Sequence, residues 1–139
     1  MGETLKIEFI TQNQEAMLSR LLIYYKRLPT LMRPQSVNKV LAERLLKCKP
    51  NRRSMKLSQI FNEVLDMYPD GVTIKDIDVM FNPDYQVDVL RILSEARKRK
   101  EYSVIWPGRC EDGKLIYGEE GYADYKVFTI DDYDITCVI

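Results

Sequence analysis

Leu57, Ile60, Phe61, Val64, Leu65 and Tyr68 stand at i, i+3, i+4, i+7, i+8 and i+11, the spacing of a helix with one buried stripe. Such a helix holds its shape mainly by laying that stripe on another apolar surface, so the rest of the chain has to supply one. Pro69-Asp70-Gly71 ends the helix in a turn. Thr73 followed three residues later by Asp76 has the spacing of a capping box, which predicts a short helix over 74–81 that stops at Asn82-Pro83. A longer helix is predicted over 84–100, with Tyr85, Val89, Ile92, Leu93 and Ala96 on one face. Strand-like runs then follow at 103–106, 114–117, 125–130 and 133–139, with turns at Glu111-Asp112-Gly113 and Gly118–Gly121.

Upstream of the stripe, alternation of Leu5, Ile7 and Phe9 with Lys6 and Glu8 predicts a short strand over 5–10. Met17, Leu18, Leu21, Leu22 and Tyr25 predict a helix over 14–28. Pro29 and Pro34 bracket a connector, and Ser36 is placed to cap a second helix running to Lys47. Residues 47–56 contain five bases and no acid and are expected to form a linker or loop.

Charge divides the chain at the same place. The 139 residues are neutral overall, yet residues 1–56 hold twelve Lys/Arg against four acids, a net of +8. Residues 57–139 hold the other nine bases against seventeen acids, a net of −8. A basic segment of this kind suits a polyanion or an acidic partner.

Several classes of chemistry are disfavoured. Histidine is absent, which removes His-based triads, His metal sites and the usual proton shuttle near neutral pH. No G-x-x-x-x-G-K-[ST] loop occurs, and Asp131, Asp132 and Asp134 lack the glycine and distal glutamate of a calcium loop. The expectation is therefore no catalytic residue, no metal and no cofactor. The three cysteines, Cys48, Cys110 and Cys137, lie far apart in sequence and are expected to be reduced thiols in a cytoplasmic protein. No apolar run approaches the roughly 20 residues of a membrane span, and the first ten residues lack the pattern of a secretory signal.

The stretch LSQIFNEVLDMYPDGVTIKDIDVMF, the helix DYQVDVLRILSEARKRKEY and the hairpin SVIWPGRCEDGKLIYGEEGYADYKVFTI together resemble the winged helix-turn-helix domain over residues of about 57–130. The resemblance implies an α+β fold: three helices plus a β-hairpin wing over 57–139, preceded by a basic helical extension and linker over 1–56. It also implies binding to double-stranded DNA, as in phage and bacterial regulators, with the third helix in the major groove. On that reading Gln86 and Arg91 are the candidate base readers. Arg97, Lys98, Lys100, Lys49, Arg52 and Arg53 are the candidates for phosphate contact. Flanking helices often pair in such domains, which makes residues 14–47 the candidate homodimer element.

Bland readings stand beside these. Asp84 and Asp88 at the head of that helix oppose groove insertion, and acids first with bases last also complement the helix dipole. The seven aromatics between 102 and 133 lie among carboxylates, which fits a strand core better than a stacking platform. The expected function is a small DNA-binding regulatory protein. The alternative is an interaction module or inhibitor that meets a protein partner through the acidic C-terminal region.

Overall fold

A computed structural model describes residues 1–9, 20–29 and 32–139. Its nine described strands are β1 (Glu3–Leu5), β2 (Leu21–Tyr24), β3 (Gln35–Ser36), β4 (Val72–Lys75), β5 (Tyr102–Ile105), β6 (Arg109–Glu111), β7 (Lys114–Tyr117), β8 (Lys126–Thr129) and β9 (Ile135–Val138). The described α-helices are α1 (Asn38–Leu46), α2 (Arg53–Leu65) and α3 (Val89–Arg97). Six strands form one sheet in the order β1-β9-β2-β5-β4-β3, every pairing parallel. The other three form a small antiparallel sheet, β6-β7-β8. Among the described residues no helix is long and apolar enough to cross a membrane.

This architecture overturns the winged-helix expectation. A winged helix carries three helices and a small wing, whereas here a six-stranded parallel sheet organises the chain. The two expected helices that would begin the helix-turn-helix are not both present. The stripe helix is real, as α2, but the segment assigned to the short second helix begins as β4. Val72, Thr73 and Ile74 pair in register with Tyr102, Ser103 and Val104, so the ladder outcompetes the local capping signal. Thr73 caps nothing; its Oγ1 lies 2.7 Å from the Ser103 Oγ, and both residues are buried. The third expected helix is shorter, and it serves as the crossover from β4 to β5.

Nor are residues 1–56 an appendage. β2 lies inside the sheet, with Leu22 opposite both Ser103 of β5 and Thr136 of β9. The predicted helix over 14–28 is thus replaced by a strand at Leu21–Tyr24, while its residues 14–19 lie outside the described ones. Strands buried on both faces read as continuous apolar runs, and a short run such as Leu-Leu-Ile-Tyr also satisfies a helical pattern. The strand predicted over 5–10 is displaced to Glu3–Leu5.

One face of the sheet carries the main core. Leu21, Ile23, Ile74, Val104, Ile135 and Cys137 are fully buried there together with Leu41 of α1, Leu57, Phe61, Val64 and Leu65 of α2, and Leu90 and Leu93 of α3. Each such side chain contributes roughly 1.5–3 kcal/mol by leaving water. Phe61 meets Tyr102 edge-on at 5.9 Å, and the Tyr102 hydroxyl donates to the Leu93 carbonyl at 2.6 Å. The alternate strand positions, Tyr24 and Val138, form a second cluster with Leu5, Leu22, Leu28 and Ile105.

The small sheet closes over Phe81. That ring stacks on Tyr117 at 3.8 Å and 6°, and meets Trp106 and Phe128 edge-on at 5.6 Å and 6.4 Å. Trp106 donates its indole N–H to the Ile116 carbonyl at 3.0 Å. The aromatics between 102 and 133 that pack here do so against one another, as strand core. The β6–β7 turn forms at Asp112 and Gly113, both with positive φ (49° and 73°), the geometry of a type I′ hairpin.

Three phenols are tied into this packing. Burial raises Tyr102 well above the usual tyrosine range. Burial, and then a hydrogen bond to Asp78 at 3.0 Å, raises Tyr117; burial, and then a bond to Asp88 at 2.7 Å, raises Tyr133. In the unfolded chain each ionises near its ordinary value of about 10. The folded state favours the neutral phenols, so their contribution is intact below about pH 10 and is lost progressively above it. Urea unfolding across the alkaline range should show stability falling from that point, and a flat profile would contradict the burial of these rings.

Candidate polyanion interface

Between Glu43 and Glu63 the chain holds Arg44, Lys47, Lys49, Arg52, Arg53 and Lys56 and not one acid. The fold turns this run into a corner: α1 ends at Leu46, a 3-10 turn spans Pro50–Arg52, and α2 starts at Arg53. The expected linker is therefore an ordered turn followed by the first turn of a helix.

Two of the six cations build the corner. Arg53 Nε donates to the carbonyls of Leu45 and Cys48, at 2.9 Å and 3.3 Å, satisfying acceptors that the end of α1 leaves open. Arg44 pairs with Glu63 at 3.2 Å, bracing α1 against α2. The other four, Lys47, Lys49, Arg52 and Lys56, make no side-chain ion pair or hydrogen bond among the described residues, and Lys47, Lys49 and Arg52 are exposed. A groove of about 500 Å³ runs between α1 and α2, with Lys47, Lys56, Gln59 and Glu63 on its walls.

The placement of two of these charges, Arg52 and Lys56, is electrostatically costly. The N-terminus of a helix bears about half a positive charge, which favours anions within the first turn. α2 has no acid in its first turn and no side-chain cap, and Arg52 and Lys56 stand there instead. An oxyanion in front of α2 would answer these side-chain cations and the positive end of the helix dipole.

The remaining sequence-predicted residues are scattered by comparison. Asp88 caps α3, accepting from the Arg91 amide at 3.0 Å, and it lies 3.8 Å from the Arg91 guanidinium. Arg91 does share a groove with Ser54 and Ser58 of α2, so the N-termini of α2 and α3 lie side by side. Gln86 is exposed and left-handed (φ 49°) just before α3. Lys100 is structural: its ammonium donates to the Tyr68 carbonyl at 2.7 Å and pairs with Asp70 at 3.1 Å. Arg97 is half-buried in the last turn of α3, and Lys98 is exposed after it, away from the α1–α2 corner. α3 is the crossover from β4 to β5, and its exposed side sets Glu95 beside Arg91, which Asp88 already engages.

Within the basic run the residues expected to meet phosphate are Lys49, Arg52 and Arg53, of which Arg53 instead closes the end of α1. Lys47 and Lys56 complete the cluster, and the absence of any acid from 44 to 62 was the signal for both. Among the described residues no group of three or more acids and cysteines is arranged to hold a metal ion. Compared with known protein families, with curated proteins and with solved structures, the chain shows no match.

Proposed function

We propose that this chain is a non-enzymatic nucleic-acid-binding protein that grips the phosphate backbone of duplex DNA through Lys47, Lys49, Arg52 and Lys56 at the α1–α2 corner. The observation that carries the reading is the corner itself: four cations without partners among the described residues, set between the end of α1 and an α2 N-terminus that lacks any acid. Contacts of this kind are to phosphate, and they position a protein without reading sequence. Binding is thus expected to be indifferent to base sequence and steeply dependent on salt.

Each phosphate neutralised releases counterions, so the logarithm of the binding constant falls with the logarithm of salt at a slope of about −0.9 per contact. Four contacts predict a slope of roughly −3.6, and each single alanine substitution should reduce its magnitude by about 0.9. Fluorescence anisotropy with a labelled duplex across a salt series measures both. A slope near zero, or no binding at low salt, would overturn the reading.

One observation favours a second reading. Leu46 and Met55 flank the cations and are 68% and 76% exposed, an apolar component that a DNA backbone does not use. An acidic protein partner, or a second copy of the chain meeting α1, would cover both. In that case Leu46→Ser with Met55→Ser abolishes complex formation and leaves the salt dependence of DNA binding unchanged.

A further inference from the structure

We propose that the crevice beyond the carboxyl ends of β1, β9 and β2 is a binding site for a small phosphomonoester, its phosphate held by Lys6 and Arg27 and its organic group laid against Phe9. In open parallel sheets, ligands bind outside the carboxyl ends of the strands, where successive loops leave a cleft. Here the cleft measures about 560 Å³ and is lined by Lys6, Glu8, Phe9, Arg27 and Ile139. That volume lies within the range of roughly 300–1,000 Å³ typical of small-molecule sites.

The backbone is distorted to make it. Lys26, directly after β2, has a φ of 66°, a conformation that lysine rarely adopts and that costs about 1–3 kcal/mol. The distortion turns the chain so that the Arg27 amide donates to the Tyr25 carbonyl at 2.8 Å. It thereby carries the Arg27 side chain across the strand ends, where Nη2 donates to Glu8 at 3.0 Å and to the Ile139 carbonyl at 3.3 Å. The guanidinium is held in place by one nitrogen, and among the described residues no acceptor engages Nε or Nη1. A planar donor fixed in this way is pre-organised for an oxyanion.

The charge balance selects the anion. Two cations, Lys6 and Arg27, line the crevice against one carboxylate, Glu8, which leaves its wall net positive. A cationic wall carrying several N–H donors suits the three terminal oxygens of a phosphate better than the two of a carboxylate. Phe9 is 46% exposed and supplies an apolar wall beside the two cations.

Phenyl phosphate is the probe, titrated into the full chain and followed by two-dimensional amide NMR, with inorganic phosphate and benzoate as parallel arms. Saturable shifts at residues 6–9, 25–27 and 137–139 are expected, with phenyl phosphate the tightest of the three. Arg27→Gln should weaken binding roughly ten- to a hundredfold. Arg27 also holds Glu8 and Ile139, so Lys6→Ala serves as the second variant. The Lys6 side chain makes no hydrogen bond or ion pair of 4 Å or less among the described residues, and its loss should weaken binding several-fold with little change in thermal stability. No saturable binding, equal binding of benzoate, or shifts confined to residues 47–56 would overturn the assignment. The last outcome would place phosphate at the helix corner alone.

Discussion

Phe81→Ala is expected to destabilise the fold by about 3–5 kcal/mol, the cost of emptying a buried aromatic site. Phe81 is only 2% exposed and is the ring on which Tyr117, Trp106 and Phe128 converge, so its loss removes one stacked and two edge-on contacts together. Aromatic pairs contribute about 0.5–1.5 kcal/mol each beyond area burial, which sets the effect at the upper end of that range. The small sheet owes much of its attachment to this ring. Urea unfolding should show the lower midpoint, and hydrogen exchange should show the amides of β7 and β8 losing protection before those of β2 and β5. A change below 1 kcal/mol would mean that the small sheet docks by other means.

Replacing Lys47, Lys49, Arg52 and Lys56 by glutamate is expected to lower duplex binding by roughly a thousandfold or more at low salt, because the sequence-independent affinity is essentially all electrostatic. The same variant should stay close to the parent chain in stability. A glutamate at Lys47, the C-cap of α1, opposes the dipole of that helix, whereas glutamates at Arg52 and Lys56 favour that of α2. None of the four side chains has a protein partner among the described residues, and acids in the first turn of α2 interact favourably with its dipole, by about 0.3–1 kcal/mol each. Lost binding with a retained melting temperature separates a functional surface from a structural one. Anisotropy and a thermal melt on the same sample decide it; retained binding would remove the corner from consideration.

Much of the local structure was legible in the sequence. The α2 stripe, the Asp-Gly turn and the strand Lys114–Tyr117 follow from periodicity and turn chemistry acting over a few residues, whereas the strand expected before that turn, 103–106, is β5 of the parallel sheet and β6 takes its place. The parallel sheet was not legible, for a physical reason. Its strands are three or four residues where they matter most, are buried on both faces and pair only with distant partners, so no alternation marks them. Leu21–Tyr24 fits a helical repeat as well as a strand, and Thr73 with Asp76 imitates a cap until Ser103 is known to lie opposite. The basic run could be read directly, but nothing in it distinguished Arg53, which closes α1, from Arg52, which faces solvent. The crevice at Lys6 and Arg27 required the strand order itself.

β9 lies between β1 and β2, although its residues follow theirs by more than a hundred positions. β1 therefore has no place to attach until residues 135–138 are in position, and β2 has only one of its two neighbours. Closing loops of that length is slow, because the entropy is lost before the ladder forms. During synthesis β1 and β2 would leave the ribosome unpaired and wait for β5 and β9 to emerge before the sheet can close around them.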